Sequence, residues 1–354
     1  MSPKSADSRE GIDPGSDRRP TSESRPFVVR YFFVGMALLF FIITSLGFVP
    51  EMVMLRANHI GLHWFTHVHG AVMTGWLLLF LAQALLAAKG RLNYHRQLGV
   101  FSAGFGVVVW ITMLSVTLSA LIRYNPPEGD SQFDTMATSL ASAVLFGLFF
   151  TGGVCTRRNP VVHKRLLLLA MLPVISAGVD RIVWLPGLQS AFFVRYLYLD
   201  ALLIPLIAYD FFTLRRIQPI VWIGAGCLIF IQTTVVLAAG SPAWHRFAYH
   251  AIAPLVARLP EVTLTDAQSD PLLGDYGSKD WHMTVNRDGG KLYLQLPNQP
   301  KVEMTANSGT KLFLKATNWR LEFVKDAEGR VTKVINTHPD HTWEAARLKE
   351  PANR

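Results

Sequence analysis

Seven apolar runs follow one another along the first two thirds of the chain, at residues 27–49, 65–88, 98–122, 133–155, 166–185, 191–212 and 220–239. Each approaches the ~20 residues that a helix needs to cross the hydrocarbon core of a bilayer. They predict an α-helical polytopic membrane bundle of seven spans. From about residue 272 the pattern changes to alternation with a period of two. Short strands are expected at 281–286, 291–296, 301–305, 310–315, 319–324, 330–336 and 341–347. Turn sequences such as Arg287-Asp288-Gly289-Gly290 and Asp326-Ala327-Glu328-Gly329 separate them. Leu292, Leu294 and Leu296 share one face, as do Trp319, Leu321 and Phe323, so that face is a core. Short, regularly spaced strands of this kind predict a small all-β antiparallel barrel or sandwich.

The expected organisation therefore has four parts. Residues 1–26, rich in Ser, Pro, Arg and Asp, form a disordered cytoplasmic tail, too polar to be a signal peptide. Residues 27–240 form the membrane domain, and its first span, lacking an A-x-A-like cleavage site, stays as a signal anchor. Residues 241–270 contain a short amphipathic helix, with Trp244, Phe247, Ile252 and Leu255 near helical spacing, lying on the outer membrane surface or continuing the last span. Residues 271–354 form the exported β domain.

Composition agrees with this division. Half of the residues are hydrophobic and 17% are charged, against roughly a quarter charged in an average soluble domain. The net charge of +9 would suggest nucleic acid in a soluble protein, but its placement gives another reason. Lys89, Arg91 and Arg96 lie between spans two and three, Arg157, Arg158, Lys164 and Arg165 between four and five, and Arg215 and Arg216 between six and seven. Those connectors hold no acid. Glu51, Glu128, Asp130 and Asp134 lie in the opposite loops, with Arg56 and Arg123. The positive-inside rule then puts the amino terminus in the cytoplasm and the β domain outside a plasma (inner) membrane. The partner implied by the charge is the lipid bilayer, not nucleic acid. Cys155 and Cys227 both fall within spans and offer neither a disulfide nor a CxxC site to the exported domain.

Gly274-Asp275-Tyr276, the run Lys291-Leu292-Tyr293-Leu294-Gln295-Leu296-Pro297-Asn298-Gln299-Pro300, then Phe313, Phe323, Asp326, Gly329-Arg330-Val331 and Ala345-Ala346-Arg347-Leu348 occur in order along the β domain. This stretch resembles the small lipocalin-like domain of unknown function appended to serine β-lactamase-type hydrolases. The resemblance implies a closed barrel that serves as an accessory to a neighbour, and here the hydrolase is missing. Ser308-Gly309-Thr310-Lys311 spells the S-x-x-K of those hydrolases. That chemistry needs the serine at a helix start and its lysine one turn on in a buried pocket. These four residues instead bridge an expected turn and strand.

The histidines of the membrane domain fall at two levels. His59, His63 and His67 are spaced i, i+4, i+8, with His69 two residues further on. In a helical second span His67 lies 21 residues before Ala88, about 31 Å at the usual rise, which sets this group at the outer interface. His63, His67 and His69 form a candidate metal set, since imidazoles one turn apart can chelate a transition ion together. Solvated interfacial histidines are the plain alternative. His95 and His163 begin spans three and five at the inner face, in the matching contexts His95-Arg96-Gln97-Leu98 and His163-Lys164-Arg165-Leu166. They could ligate a b-type haem, with Arg96, Lys164 and Arg165 for the propionates and Gly99, Gly104 and Gly106 making room for the porphyrin edge. They could equally anchor helix ends in the headgroups, with the three glycines as close-packing residues, or relay protons. This recurrence resembles cytochrome b561-like multi-helix membrane proteins. Spans four, six and seven carry no histidine, however, so a two-haem wire is not expected.

Asp180, Arg181, Tyr196 and Asp200 sit in the outer halves of spans five and six. Ionisable groups at such depth cost several kcal/mol unless paired or wet. They predict a polar outer cavity near His67 and His69, or a structural clamp in which Arg181 pairs with Asp200. No P-loop, dinucleotide fingerprint, zinc-protease motif or serine triad is legible. The expected function is a membrane-anchored binding or accessory protein that shows its barrel to a periplasmic protein or a small-molecule ligand. The alternative is a membrane redox protein, an oxidoreductase if it is an enzyme, holding haem b or a transition metal.

Overall fold

A computed structural model describes residues 27–57, 61–124, 129, 131–188, 191–255, 261–277, 282–297, 301–314, 319–337 and 341–348. The expected tail at 1–26, His59, Glu128 and Asp130 lie outside the described residues. Seven helical segments are long and apolar enough to cross a membrane. They are α1 (Phe27–Ala57), α2 (Trp64–Ala88), α3 (Leu92–Tyr124), α4 (Gln132–Cys155), α5 (Pro160–Asp180), the pair α6 (Val194–Ala201) and α7 (Leu203–Leu214), and α8 (Pro219–Ala238). A short helix, α9 (Pro242–Ile252), follows. The chain is thus a seven-span helical bundle followed by a small antiparallel barrel, as its pattern predicts.

Local chemistry sets the helix ends. The Asn159 side chain accepts from the N–H groups of Val161 and Val162, and Pro160 occupies the first turn, where its missing N–H costs nothing. Ser241 caps α9 in the same way, ahead of Pro242. Two boundaries depart from the apolar runs. Helix α1 continues through Pro50 to Ala57, carrying Glu51 on its last two turns. Span six breaks at Leu202, where Pro205 sits in the first turn of α7 and cannot donate to the carbonyl four residues back.

Helix α5 is the centre of the bundle, with most of its length buried, and α1, α4, α6 and α8 pack around it. The crossing of α1 and α5 is backbone to backbone. A Cβ on Gly47 would lie 2.1 Å from the Gly178 carbonyl oxygen, and one on Gly178 would lie 2.9 Å from the Thr44 Cα. Small residues permit this approach, which maximises van der Waals contact where lipid supplies no hydrophobic driving force. In α3, Gly106 leaves its space to Phe150, which stacks on Phe146 and meets Trp76 edge-on. Its small size therefore serves the packing of α3 against α4.

The carboxyl-terminal domain contains α10 (Asp266–Ser269) and eight strands, β2 (Gly274–Gly277), β3 (His282–Asp288), β4 (Lys291–Gln295), β5 (Val302–Ala306), β6 (Lys311–Leu314), β7 (Arg320–Lys325), β8 (Val331–Thr337) and β9 (His341–Ala346). Each pairs antiparallel with the next. The β3–β4 hairpin turns on Gly289 (φ 58°) and Gly290 (φ 77°), the two positive φ values that a type I′ turn requires. The barrel is nearly closed: Tyr276 bridges Arg347, and the Leu348 N–H donates to the Asp275 carbonyl at 2.8 Å. The other end of the β9 edge pairs with β1 (Gly61–Leu62), which lies between α1 and α2, through Gly61 to Thr342 and Leu62 to His341. Tyr276, Met283, Leu292, Leu294, Leu321, Phe323 and Val334 fill the interior among other buried apolar side chains. The seven strands expected from alternation are present. Strand β2 escaped it, because two of its four residues are glycine.

Candidate functional site

The three basic connectors of the bundle lie at the end away from the barrel, called here the basic end. His95, in the first turn of α3, and His163, in the first turn of α5, meet there with ring centroids 6.4 Å apart and ring planes at 86°. The α2–α3 and α4–α5 hairpins produce this meeting, and the end of each hairpin's first helix supports the ring carried by its second. The Nδ1 of His163 is 2.7 Å from the Gly153 carbonyl, and the Nδ1 of His95 is 3.3 Å from the Gln83 carbonyl. A carbonyl only accepts, so each Nδ1 carries a proton and donates, and each Nε2 of a neutral ring keeps its lone pair. Backbone carbonyls commonly orient metal-binding imidazoles in this way.

The separation also bears on what the pair could hold. Two rings at this separation would leave room for one metal ion between them, at metal–nitrogen bonds of about 2.0 Å. Among the basic residues nearby, Arg96 is exposed. Lys164 is engaged, its ammonium donating to the Tyr209 hydroxyl at 3.3 Å and lying 4.6 Å from the Phe33 ring centre.

Arg165 is the principal surprise of this end. It is 0% exposed and forks onto Asp210 of α7, itself 0% exposed, with Nε 3.0 Å from both carboxylate oxygens and Nη2 on Oδ1. Its Nη1 donates to the Val161 carbonyl at 2.7 Å, and Asp210 Oδ2 accepts from the Gln218 N–H at 3.0 Å. Arg165 is therefore neither a connector charge nor a propionate partner. Sequence reasoning passed over Asp210, although a carboxylate inside the sixth apolar run was a visible signal.

At the barrel end the expected residues are dispersed. His63 caps α2, its Nδ1 accepting from the Phe65 N–H at 3.3 Å. His67 is exposed, and His69 is half-buried with an unpartnered Nδ1. Among the described residues no three His, Cys, Asp or Glu side chains gather in a metal-binding group, so the structure does not assemble His63, His67 and His69 into one. Arg181 pairs with Glu51 of α1 and not with Asp200, because α1 extends beyond Pro50 far enough to meet it. Asp180 pairs with Arg195 at 3.1 Å. Asp200 accepts from the Gln232 amide of α8 at 3.1 Å.

A small cavity does lie between α4, α5, α6 and α8, with Thr138, Ser142, Ser176, Tyr196 and Gln232 in its lining. Of the four residues expected there, Tyr196 lines it and Asp200 joins it through Gln232. Asp180 and Arg181 instead form the two ion pairs with Arg195 and Glu51. The polar residues that complete the lining are Ser, Thr and Gln on helices otherwise apolar, a signal too common to select by sequence alone.

Helix α9 turns His245, Ala248 and Ile252 inward and Phe247 outward, and Leu255, in the short 3-10 turn that follows, is exposed as well. His245 Nε2 lies 2.8 Å from the Asp134 carboxylate, and the Trp244 indole donates to the Phe133 carbonyl. The helix is thereby fastened to the start of α4. In the barrel, Ser308 accepts from the N–H groups of Thr310 and Lys311, a turn-forming role, and Lys311 pairs with Glu322 across the sheet. The S-x-x-K spelling thus builds a hairpin.

Fold and site together define a class: a polytopic helical membrane bundle with an appended eight-stranded barrel. No protein family, curated protein or solved structure matches the chain.

Proposed function

We propose that this chain is a membrane protein that holds a b-type haem between His95 and His163, with the barrel as an accessory domain displayed on the opposite side of the membrane. The observation that carries this reading is the pair itself, two imidazoles from different helices with ring centroids 6.4 Å apart, each with its Nδ1 committed to a main-chain carbonyl. Haem iron, when bound, supplies one-electron chemistry. The chain's own contribution is orientation. The Gln83 and Gly153 carbonyls hold the two rings, Arg96 offers a cation to a propionate, and Arg165, clamped by Asp210, keeps the base of α5 in place. Eight basic residues remain on or beside the connectors once Arg165 is set apart. They support a cytoplasmic basic end, and hence a barrel on the periplasmic or extracellular side of a plasma membrane.

The test is the absorption spectrum of the detergent-purified full-length protein from haem-replete cells. A Soret band is expected, lost in both His95→Ala and His163→Ala. A colourless wild-type preparation would refute haem, and stoichiometric iron or copper in that preparation would point to a bare ion instead.

The barrel favours a second reading, a membrane-anchored binding or accessory protein without a prosthetic group. Its interior is packed with side chains and its seam is partly taken by β1 of the membrane domain. Those features support recognition of a periplasmic protein by its outer surface over capture of a small molecule inside it.

A further inference from the structure

We propose that the cavity between α4, α5, α6 and α8 is a sodium site. It has a volume of about 20 Å³, room for one water-sized body. It lies within the spans, in the half of the bundle nearer the barrel.

The hydrogen-bond accounting of its lining is one-sided. The Thr138 hydroxyl donates to the Asp134 carbonyl at 3.0 Å, and the Ser176 hydroxyl to the Pro173 carbonyl at 2.9 Å. The Gln232 amide nitrogen donates to Asp200 at 3.1 Å. These three groups have committed protons elsewhere and keep oxygen lone pairs for the cavity. Ser142, 3.5 Å from Ser176, adds a hydroxyl oxygen. Tyr196 is 8% exposed, and its hydroxyl, in the cavity wall, lies beside the Thr138 hydroxyl without a well-formed hydrogen bond. A cation takes lone pairs and not protons, so the phenol oxygen would serve it while the phenol proton turns to Thr138.

Charge selects that occupant. Asp200 has no basic side chain within ion-pair distance among the described residues, because Arg195 is held by Asp180 and Arg181 by Glu51. An unbalanced carboxylate within the spans calls for a counter-charge. Five oxygen-bearing side chains around one small space, backed by a single carboxylate, match a hard monovalent cation. A divalent ion would overbalance the carboxylate, and the small volume favours sodium over the larger potassium ion.

The experiment uses the full-length protein in detergent, unfolded thermally in NaCl, KCl or choline chloride at equal ionic strength. A saturable rise in Tm is expected in NaCl alone. Asp200→Asn and Tyr196→Phe should each raise the half-saturating sodium concentration about tenfold, the loss of roughly one good contact. Direct binding of radioactive sodium to the wild-type protein, displaced by unlabelled sodium and not by choline, provides a readout independent of whether either variant folds. Equal Tm in all three salts, as with a cavity holding only water, overturns the proposal. So does an unchanged sodium response in Asp200→Asn, or failure of the wild-type protein to retain sodium.

Discussion

Replacing Asp210 by asparagine tests how the basic end of the bundle is held together. The substitution keeps the volume and removes the charge. In the native protein the Arg165 guanidinium gives Nε and Nη2 to Asp210 and Nη1 to the Val161 carbonyl, with both partners fully buried. In Asp210→Asn the side-chain amide would offer one acceptor oxygen and turn an N–H toward the guanidinium or toward the Gln218 N–H. The arginine charge would then be buried without a counter-ion. Removing one partner of a buried pair costs about 3–5 kcal/mol, a factor of roughly 10²–10⁴ in the folded population. For a domain of this size that is a fall in Tm of about 6–20 °C. The cost belongs to the orphaned charge more than to the lost attraction, so the double variant Arg165→Met, Asp210→Leu should recover most of it. Thermal unfolding of the full-length protein in detergent, followed by tryptophan fluorescence, measures both variants. A single-variant loss under about 1 kcal/mol, or a double variant no better than the single, would refute the reasoning.

Two further substitutions probe other parts of the molecule. Gly47→Ala should lower stability by about 1–3 kcal/mol or more, because a methyl 2.1 Å from the Gly178 carbonyl oxygen forces α1 and α5 apart. The same change at Gly35, where a Cβ meets nothing, should cost little, and thermal unfolding separates the two. In the barrel, burial pushes the Tyr276 phenol up to about 12, with the nearby Arg347 charge pulling the other way. Its hydroxyl donates to the Leu272 carbonyl at 2.8 Å. The folded value is raised above the unfolded value of about 10. The associated stability is therefore complete below about pH 10 and fades as the pH rises through 12. Phenolate absorbance of the wild type minus Tyr276→Phe should show this late titration. A difference spectrum that develops near 10 would contradict it.

The chain alone determined the architecture. Span number and strand alternation are one-dimensional signals, since a bilayer requires about twenty apolar residues in a row and a half-buried strand requires a period of two. The placement of His95 and His163 at matching helix starts was legible for the same reason, as were the charges left inside spans five and six. Pairing was not. Arg181 and Asp200 looked like mutual partners on adjacent spans, but tertiary structure gave Arg181 to Glu51, because α1 runs on past a proline that sequence rules take as an end. Arg165 has the local setting of a connector charge, yet Asp210, forty-five residues away, pairs with it in the interior. The cavity draws single polar residues from four helices, and only the folded bundle puts them around one space. Which residues leave water is written locally in the sequence, whereas which of them meet is decided by helix crossings, where a glycine's missing methyl or a helix extended by two turns changes the partner.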